Sequence, residues 1–397
     1  MVFGCWKIIA ECWETARGCW KFARGCCKMA RGRCENIHGN IVLYLVAFAQ
    51  IVDMYMKTRV LTFLMILSGA ILLSGCSGGT RLQGTGASFP KPIYDKWVNE
   101  YTKQNPGIVI DYQSTGSGAG INAIQQGTAD FAASDAAMDD AALKKAPAEI
   151  VHIPTVLGAV VLTYNIEGLN GQLRLSPETI ADIYLGKIKK WNDPKLKADN
   201  PSLNFPDKEI RSVHRAEASG TTDVFTDFLS KTSPEWKEKV GRNLQPSWIQ
   251  GVGISAPRSD GVMGEIKGTP NTIGYVELTF AKANNLPTAL IKNSAGNFVD
   301  PSPENVAAAA AESISKTPDD LRVEITNANG ANAYPIASYT YILLYKKQAN
   351  ATKGKNLVDF LTWATHDGQK FAQELFYVPL PPQIVTKVET RLSSIEK

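Results

Sequence analysis

Arg215-Ala216-Glu217-Ala218-Ser219-Gly220-Thr221-Thr222 joins an apolar, strand-like run, Ile210 to His214, to a segment in which Val224, Phe225, Phe228 and Leu229 recur at helical spacing. Ser219, Gly220 and Thr221 therefore fall where a helix begins. The first N–H groups of a helix have no partner inside it and point outward at the positive end of the dipole. Small hydroxyl residues and a glycine let an anion approach those groups. Arg215 adds a planar, permanently charged fork that matches a tetrahedral oxyanion. Taken alone, the stretch fits an ordinary Ser/Thr helix cap beside a surface arginine equally well.

Outward from it, the chain alternates short strands with helices. Tyr94, Trp97, Val98 and Tyr101 mark one helical face after the turn Gln83–Pro92, and Ile108 to Tyr112 alternates as a strand. Ser114-Thr-Gly-Ser-Gly-Ala-Gly120 opens a helix that carries Ile121 and Ile124 and stops at Gly127. Asp130 to Asp135 is a short strand ending in a carboxylate. Ser176-Pro177 starts a further helix, with Ser176 as its cap. Val151–Tyr164 and Tyr334–Tyr345 are long β-rich runs suited to crossing between two lobes, and Leu357 to Leu375 reads as an amphipathic helix. The alternation predicts an α/β fold with mainly parallel sheets.

The N-terminus reads differently. Met56-Lys57-Thr58-Arg59 precedes an apolar run of 14 residues, Val60 to Leu73, and then Leu73-Ser74-Gly75-Cys76. A charged start, a short apolar core and small residues before the cut describe a secretory signal, and the run is short for a membrane span. Leu-Ser-Gly-Cys resembles the bacterial lipoprotein box, which implies lipidation at Cys76. Residues 1–55, with Cys5, Cys12, Cys19 and Cys26 at seven-residue intervals, are read as a non-native extension upstream of a start at Met56 or Met54. A heptad helix with cysteines on one face and a metal or redox cluster are the other readings of that repeat.

Without residues 1–75, 322 residues remain, enough for two ordinary domains. Cys76 is then the single cysteine, so no internal disulfide is expected. Of 42 Lys/Arg and 38 Asp/Glu, nine and four lie in residues 1–75, which leaves 33 against 34 and a net charge of −1. With that balance and no basic stripe, nucleic acid is excluded as a partner. His152, His214 and His366 have no metal-ligand spacing, so neither a metal nor another cofactor is expected.

Three Gly/Ser/Thr-rich segments, 84–89, 114–120 and 219–222, each stand at a predicted helix start. Converging helix N-termini encircle an anion with N–H and hydroxyl donors. Gly84-Thr-Gly-Ala-Ser-Phe-Pro90, Gly116-Ser117, Ala133-Ser-Asp135, Asp182-Ile-Tyr-Leu-Gly-Lys-Ile-Lys-Lys-Trp191, Arg215…Ser219-Gly-Thr221 and Ile273-Gly-Tyr-Val-Glu277 together resemble the extracytoplasmic phosphate-binding receptors of bacterial phosphate ABC importers, in order from about residue 84 to the C-terminus. The resemblance implies the two-lobed periplasmic-binding-protein fold (type II, Venus flytrap), each lobe a mainly parallel sheet flanked by helices. It divides the chain into the extension 1–55, a signal peptide 56–75, a tether 76–83, lobe I at 84–158 and 336–397, and lobe II at 159–335. It also implies phosphate contacts from Ser88, the Phe89 N–H, Ser117, Asp135, Arg215, Ser219, the Gly220 N–H and Thr221, with Glu217 orienting Arg215. Phe89 is expected to pack its ring against the cleft wall. The second loop departs from the family in having Gly-Ser-Gly-Ala-Gly where two adjacent serines are common.

Asp135 has a physical rationale apart from the family. A carboxylate beside an anion is repulsive unless the anion brings a proton, because an ionised aspartate only accepts hydrogen bonds. Protonated phosphate satisfies it, whereas sulfate leaves it unpaired, and such a mismatch discriminates by about 10⁴. The expected protein is a monomeric, lipid-anchored extracytoplasmic phosphate receptor that hands phosphate to permease subunits and is not an enzyme. The alternatives are a receptor for another protonated oxyanion such as arsenate, and a secreted phosphoester hydrolase using Ser219 or Thr221. The hydrolase lacks a G-x-S-x-G turn, a base placed by sequence and a Walker A lysine.

Overall fold

The computed structural model describes residues 79–397 and Met54. The extension 1–55 (Met54 aside), the signal peptide 56–75 and Cys76 lie outside the described residues. The strands are β1 (Thr80–Gly86), β2 (Ile108–Ser114), β3 (Phe131–Ser134), β4 (Ile150–Asn165), β5 (Arg174–Leu175), β6 (Arg211–Arg215), β7 (Ile254–Ala256), β8 (Thr272–Glu277), β9 (Leu290–Lys292), β10 (Phe298–Val299) and β11 (Ala337–Tyr345). Eight of them form one sheet in the order β2-β1-β3-β11-β4-β8-β6-β7, and β10-β9-β5 form a small second sheet.

β4 decides this architecture. Its 16 residues, IVHIPTVLGAVVLTYN, are buried throughout except for half-buried Asn165. An apolar, β-branched run of that kind suits a strand covered on both faces. Ile150 to Ala159 pairs antiparallel with β11, and Val160 to Asn165 pairs antiparallel with β8. The strand thus belongs to two sheet halves and changes partner between Ala159 and Val160. The outer pairings, β1 with β2 and β3 and β6 with β7 and β8, are parallel, as the strand–helix alternation predicts. The antiparallel pairings occur only along β4 and β11 in the large sheet, where the chain crosses between the halves.

Two local readings are corrected. Thr80–Gln83, expected in the tether, and Gln83–Gly86, expected in a turn, are one strand, paired in parallel register with β2 from Thr80↔Ile108 to Gly86↔Ser114. Leu82, Gly84 and Gly86 form its buried face, and glycine adds nothing to a hydropathy pattern, so the period of two was hidden. The helix expected over 357–375 is α-helical at Ala351–Thr365 and continues as two 3₁₀ turns, Asp367–Phe371 and Gln373–Leu375. The Trp97 indole N–H donates to the Gly368 carbonyl at 2.7 Å, which ties the break to the opposite helix.

Four helices point their N-termini toward the junction of the two halves. They are α1 (Lys91–Gln104), α2 (Ser117–Gln125), α3 (Gly220–Thr232) and α4 (Arg258–Gly268). α1 follows Pro90, has a proline in its first turn and buries Ile93, Tyr94, Trp97 and Tyr101. α3 is capped by Ser219, whose Oγ accepts the Thr222 N–H at 3.3 Å. The core behind α3 is aromatic: Phe225 stacks on Tyr275 at 4.3 Å and meets Tyr184 edge-on at 4.9 Å.

Candidate anion-binding site

Each site residue lies at the end of a strand, in the short turn after one, or at the start of a helix. β1 ends at Gly86, and the turn to α1 holds Ser88 and Phe89, both buried. Phe89 is fully buried, and its ring lies where a Cβ on Gly158 would come within 2.7 Å of it. Gly158 of β4 is therefore required by close approach. The ring packs into the core wall near Tyr377, 6.2 Å away between centroids. Tyr377 also donates its hydroxyl to the Phe89 carbonyl at 2.6 Å, which fixes the orientation of this turn.

Asp135 follows β3 and is buried. One carboxylate oxygen accepts the Thr340 hydroxyl at 2.9 Å, and the other accepts the Thr221 hydroxyl at 3.1 Å. Burial pushes its pKa up to about 7, against the opposing pull of the Thr340 hydroxyl, the Arg215 charge and the Thr221 hydroxyl. Arg215 ends β6 with its side chain 1 % exposed. Its Nε donates to Glu217 Oε1 at 3.0 Å, its Nη2 also pairs with that oxygen, and its Nη1 donates to Thr221 Oγ1 at 3.4 Å. The Arg215 N–H donates to the Tyr275 hydroxyl at 3.2 Å. Thr221 thus links the buried cation to the buried carboxylate.

Ser117 opens α2, and its Oγ is buried with no hydrogen-bond partner among the described residues. An unpaired buried hydroxyl is costly, so this donor suits a ligand. Gly220 opens α3 against it: a Cβ on Gly220 would lie 2.6 Å from Ser117 Oγ, 2.7 Å from Asp135 N and 2.8 Å from Asp135 Cβ. The Gly118 N–H donates to the Ala218 carbonyl at 3.0 Å, a hydrogen bond between the α2 and α3 loops. Ser117, Asp135, Arg215, Gly220 and Thr221 are brought together, with Ser219 beside them as the cap of α3; Ser88 meets Ser259, Phe89 meets Tyr377, and Glu217 joins Arg215 to the Arg258 N–H. The set offers hydroxyls, helix-start N–H groups, one guanidinium and a single acceptor carboxylate. A cavity of about 720 Å³ borders Asp135 on one side and is lined by Asp223, Asp227, Arg242, Arg322 and Glu324 among others. Its many carboxylates make it a poor seat for a free anion.

Several members of this site were not read from the sequence. Thr340 reaches Asp135 because β11 pairs with β3, 205 residues away in sequence, and nothing local announces that. Ser259 sits in the first turn of α4, where its Oγ lies 2.9 Å from Ser88 Oγ. The preceding Arg258 N–H donates to both Glu217 oxygens at 3.1 and 3.2 Å. Pro257-Arg-Ser-Asp-Gly261 is a fourth small-residue helix start, so the signal used for the other three loops was present here too. Glu277 is fully buried beside Tyr377, whose hydroxyl lies 3.2 Å from Oε2, and burial pushes its carboxyl well above the usual range.

The histidines are engaged elsewhere. His214 stacks on Trp248 at 4.4 Å with Nδ1 3.1 Å from the Arg215 carbonyl. Buried His152 accepts the Met138 N–H at 3.0 Å, and its pKa is pushed down to about 3 by burial. His366 pairs with Glu389 at 2.7 Å on the surface. Among the described residues no group of three or more His, Cys, Asp or Glu is arranged to hold a metal ion, and no helix is long and apolar enough to cross a membrane.

A PBP superfamily domain matches residues 75–367. A phosphate-binding protein PstS of Xylella fastidiosa is 41% identical over 315 residues, covering 79% of this chain and 85% of that protein. The fold matches a phosphate-binding protein from Stenotrophomonas maltophilia with a TM-score of 0.62 at 22% identity, over 79% of this chain and 94% of that one. It also matches an ABC-type phosphate transport receptor from Vibrio cholerae with a TM-score of 0.51 at 17% identity, over 76% of this chain and 100% of that one. The chain belongs to the PBP superfamily and, within it, to the family of the phosphate-binding proteins PstS.

Proposed function

We propose that this protein binds inorganic phosphate between two lobes and delivers it to the permease of an ABC importer. The observation that carries the reading is Asp135: an ionised carboxylate buried among anion donors suits an anion only if that anion supplies a proton. Phosphate supplies one while its other oxygens accept from Ser88, Phe89 N–H, Ser117, Arg215, Ser219, Gly220 N–H and Thr221. Glu217 holds the guanidinium in place and offsets part of its charge. The partner switch of β4 between Ala159 and Val160 supports lobe I at 84–158 and 336–397 and lobe II at 159–335. The names of the relatives support phosphate as ligand and a phosphate transporter as partner.

The sequence 56–76 supports an extracytoplasmic, lipid-anchored receptor with Cys76 as the anchor point. The lobes close on phosphate by hinge motion at the crossovers. In cells that lack the chain, phosphate uptake at low external phosphate is expected to fall, to return with the full chain, and not to return with Arg215→Ala. Uptake unchanged by loss of the chain contradicts delivery. Competition by arsenate in the same assay measures how far the site accepts a second protonated oxyanion.

A further inference from the structure

Ser88 and Ser259 come from opposite sides of the cleft, 171 positions apart, and both are buried, Ser259 completely. Their hydroxyl oxygens are 2.9 Å apart, and the Ser259 N–H also points at Ser88 Oγ, at 3.3 Å. A serine hydroxyl has one proton and two lone pairs. The Ser259 N–H occupies one lone pair of Ser88. If the Ser259 hydroxyl donates to the other, Ser88 has no acceptor capacity left and its proton must go elsewhere. If Ser88 donates to Ser259 instead, that proton is spent. An anion beside Ser88 selects the first arrangement, because a hydrogen bond to a charged acceptor is about twice as strong as one between neutral groups.

The backbone that presents Ser259 is itself unusual. Arg258 has φ +52°, in the left-handed region that non-glycine residues seldom occupy, and such conformations persist only where the surroundings impose them. Here the Arg258 N–H is held by the Glu217 carboxylate, the same group that grips Arg215. One strained turn therefore aims two successive N–H groups, one at the partner of Arg215 and the next at Ser88.

We propose that Ser259 is a positioning residue of the anion site: from the second lobe it fills the lone pairs of Ser88 Oγ and so turns the Ser88 proton toward the anion, but only when the lobes are closed. This rests on the phosphate-receptor reading and names how one donor of that site is set. Ser259 touches no ligand atom; it converts a hydroxyl able to donate or accept into one that only donates, and it does so as a consequence of closure.

The test is a double-mutant cycle with phosphate as the probe, on the full chain stripped of ligand, using stopped-flow binding for the unmodified protein, Ser259→Ala, Ser88→Ala and the double variant. Ser259→Ala is expected to weaken phosphate binding about fivefold to tenfold, the worth of one hydrogen bond, through faster release with the association rate unchanged. In the Ser88→Ala background the same change is expected to alter affinity less than about twofold, because the group it acts on is gone. Equal effects in both backgrounds overturn the proposal, as does a loss confined to the association rate. Thermal melting of the ligand-free variants separates a folding defect from a binding one, and a cycle still non-additive among variants of equal melting temperature supports the proposal. A Ser259→Ala protein that binds as tightly as the unmodified one overturns the inference alone, whereas an unmodified protein that does not bind phosphate overturns the parent reading and this inference with it.

Discussion

Asp135 sets the chemistry at the scale of single residues. Its pKa is raised from 3.8 to about 7 chiefly by burial, so the folded protein holds this proton more tightly than the unfolded chain. The contribution to stability is therefore fully present below pH ~4 and is lost as pH rises through about 7. In Asp135→Asn the ligand-free melting temperature is expected to lose that decline between about pH 4 and 7. Melting curves of both proteins across the range check it, and parallel profiles contradict a raised pKa. Arg215 is the complement, a cation with 1 % of its side chain exposed. Arg215→Ala removes the one guanidinium among the donors and leaves Glu217 facing the Arg258 N–H alone. Phosphate affinity is expected to fall by about 2–5 kcal/mol, the usual loss when one partner of a buried charge pair is truncated. A titration that finds less than a tenfold loss would place the arginine outside the site.

At the scale of elements, helix starts meet across the junction of the sheet halves, and Gly220 of α3 lies against Ser117 and Asp135. Alanine at Gly220 favours the helix by up to about 1 kcal/mol, yet its Cβ would press on Ser117 Oγ and the Asp135 backbone at 2.6 and 2.7 Å. Gly220→Ala is thus expected to lower the melting temperature of the ligand-free protein and to weaken phosphate binding, each by about 1–3 kcal/mol through overpacking. Unchanged melting and binding would show that the α2 and α3 starts separate at no cost. These helix starts were largely legible in the sequence, because Ser219-Gly220-Thr221 and Ser114 to Gly120 combine caps, glycine and apolar periodicity within a few residues. β4 was legible for the same kind of reason, as one unbroken apolar run. Thr340 was not, since its partner is set by the pairing of β11 with β3. Nor was the start of β1 at Thr80, where two of the buried positions are glycines that carry no hydropathy. Ser259 lay in a loop of the right composition, but its relation to Ser88 is a matter of tertiary approach alone.

At the scale of the whole molecule, two long strands, β4 and β11, run along the junction between the sheet halves, and the donors of one ligand are divided between those halves. Ser88, Phe89, Ser117 and Asp135 come from the β1–β3 side, and Arg215, Ser219, Gly220 and Thr221 from the β6–β8 side. On the receptor reading proposed above, such a site is complete only when the halves close, and it holds one ligand per chain. On that reading the choice of ligand rests on Asp135, which makes selectivity between two anions of similar size and shape the sharpest observable. The most direct measurement is calorimetric titration of the ligand-stripped protein with phosphate and then with sulfate at neutral pH. One phosphate per chain, bound at micromolar Kd or tighter, roughly −8 kcal/mol or more favourable, with no heat from sulfate, is the expected result. Sulfate bound as tightly as phosphate would contradict the role assigned to Asp135 and, with it, the central claim.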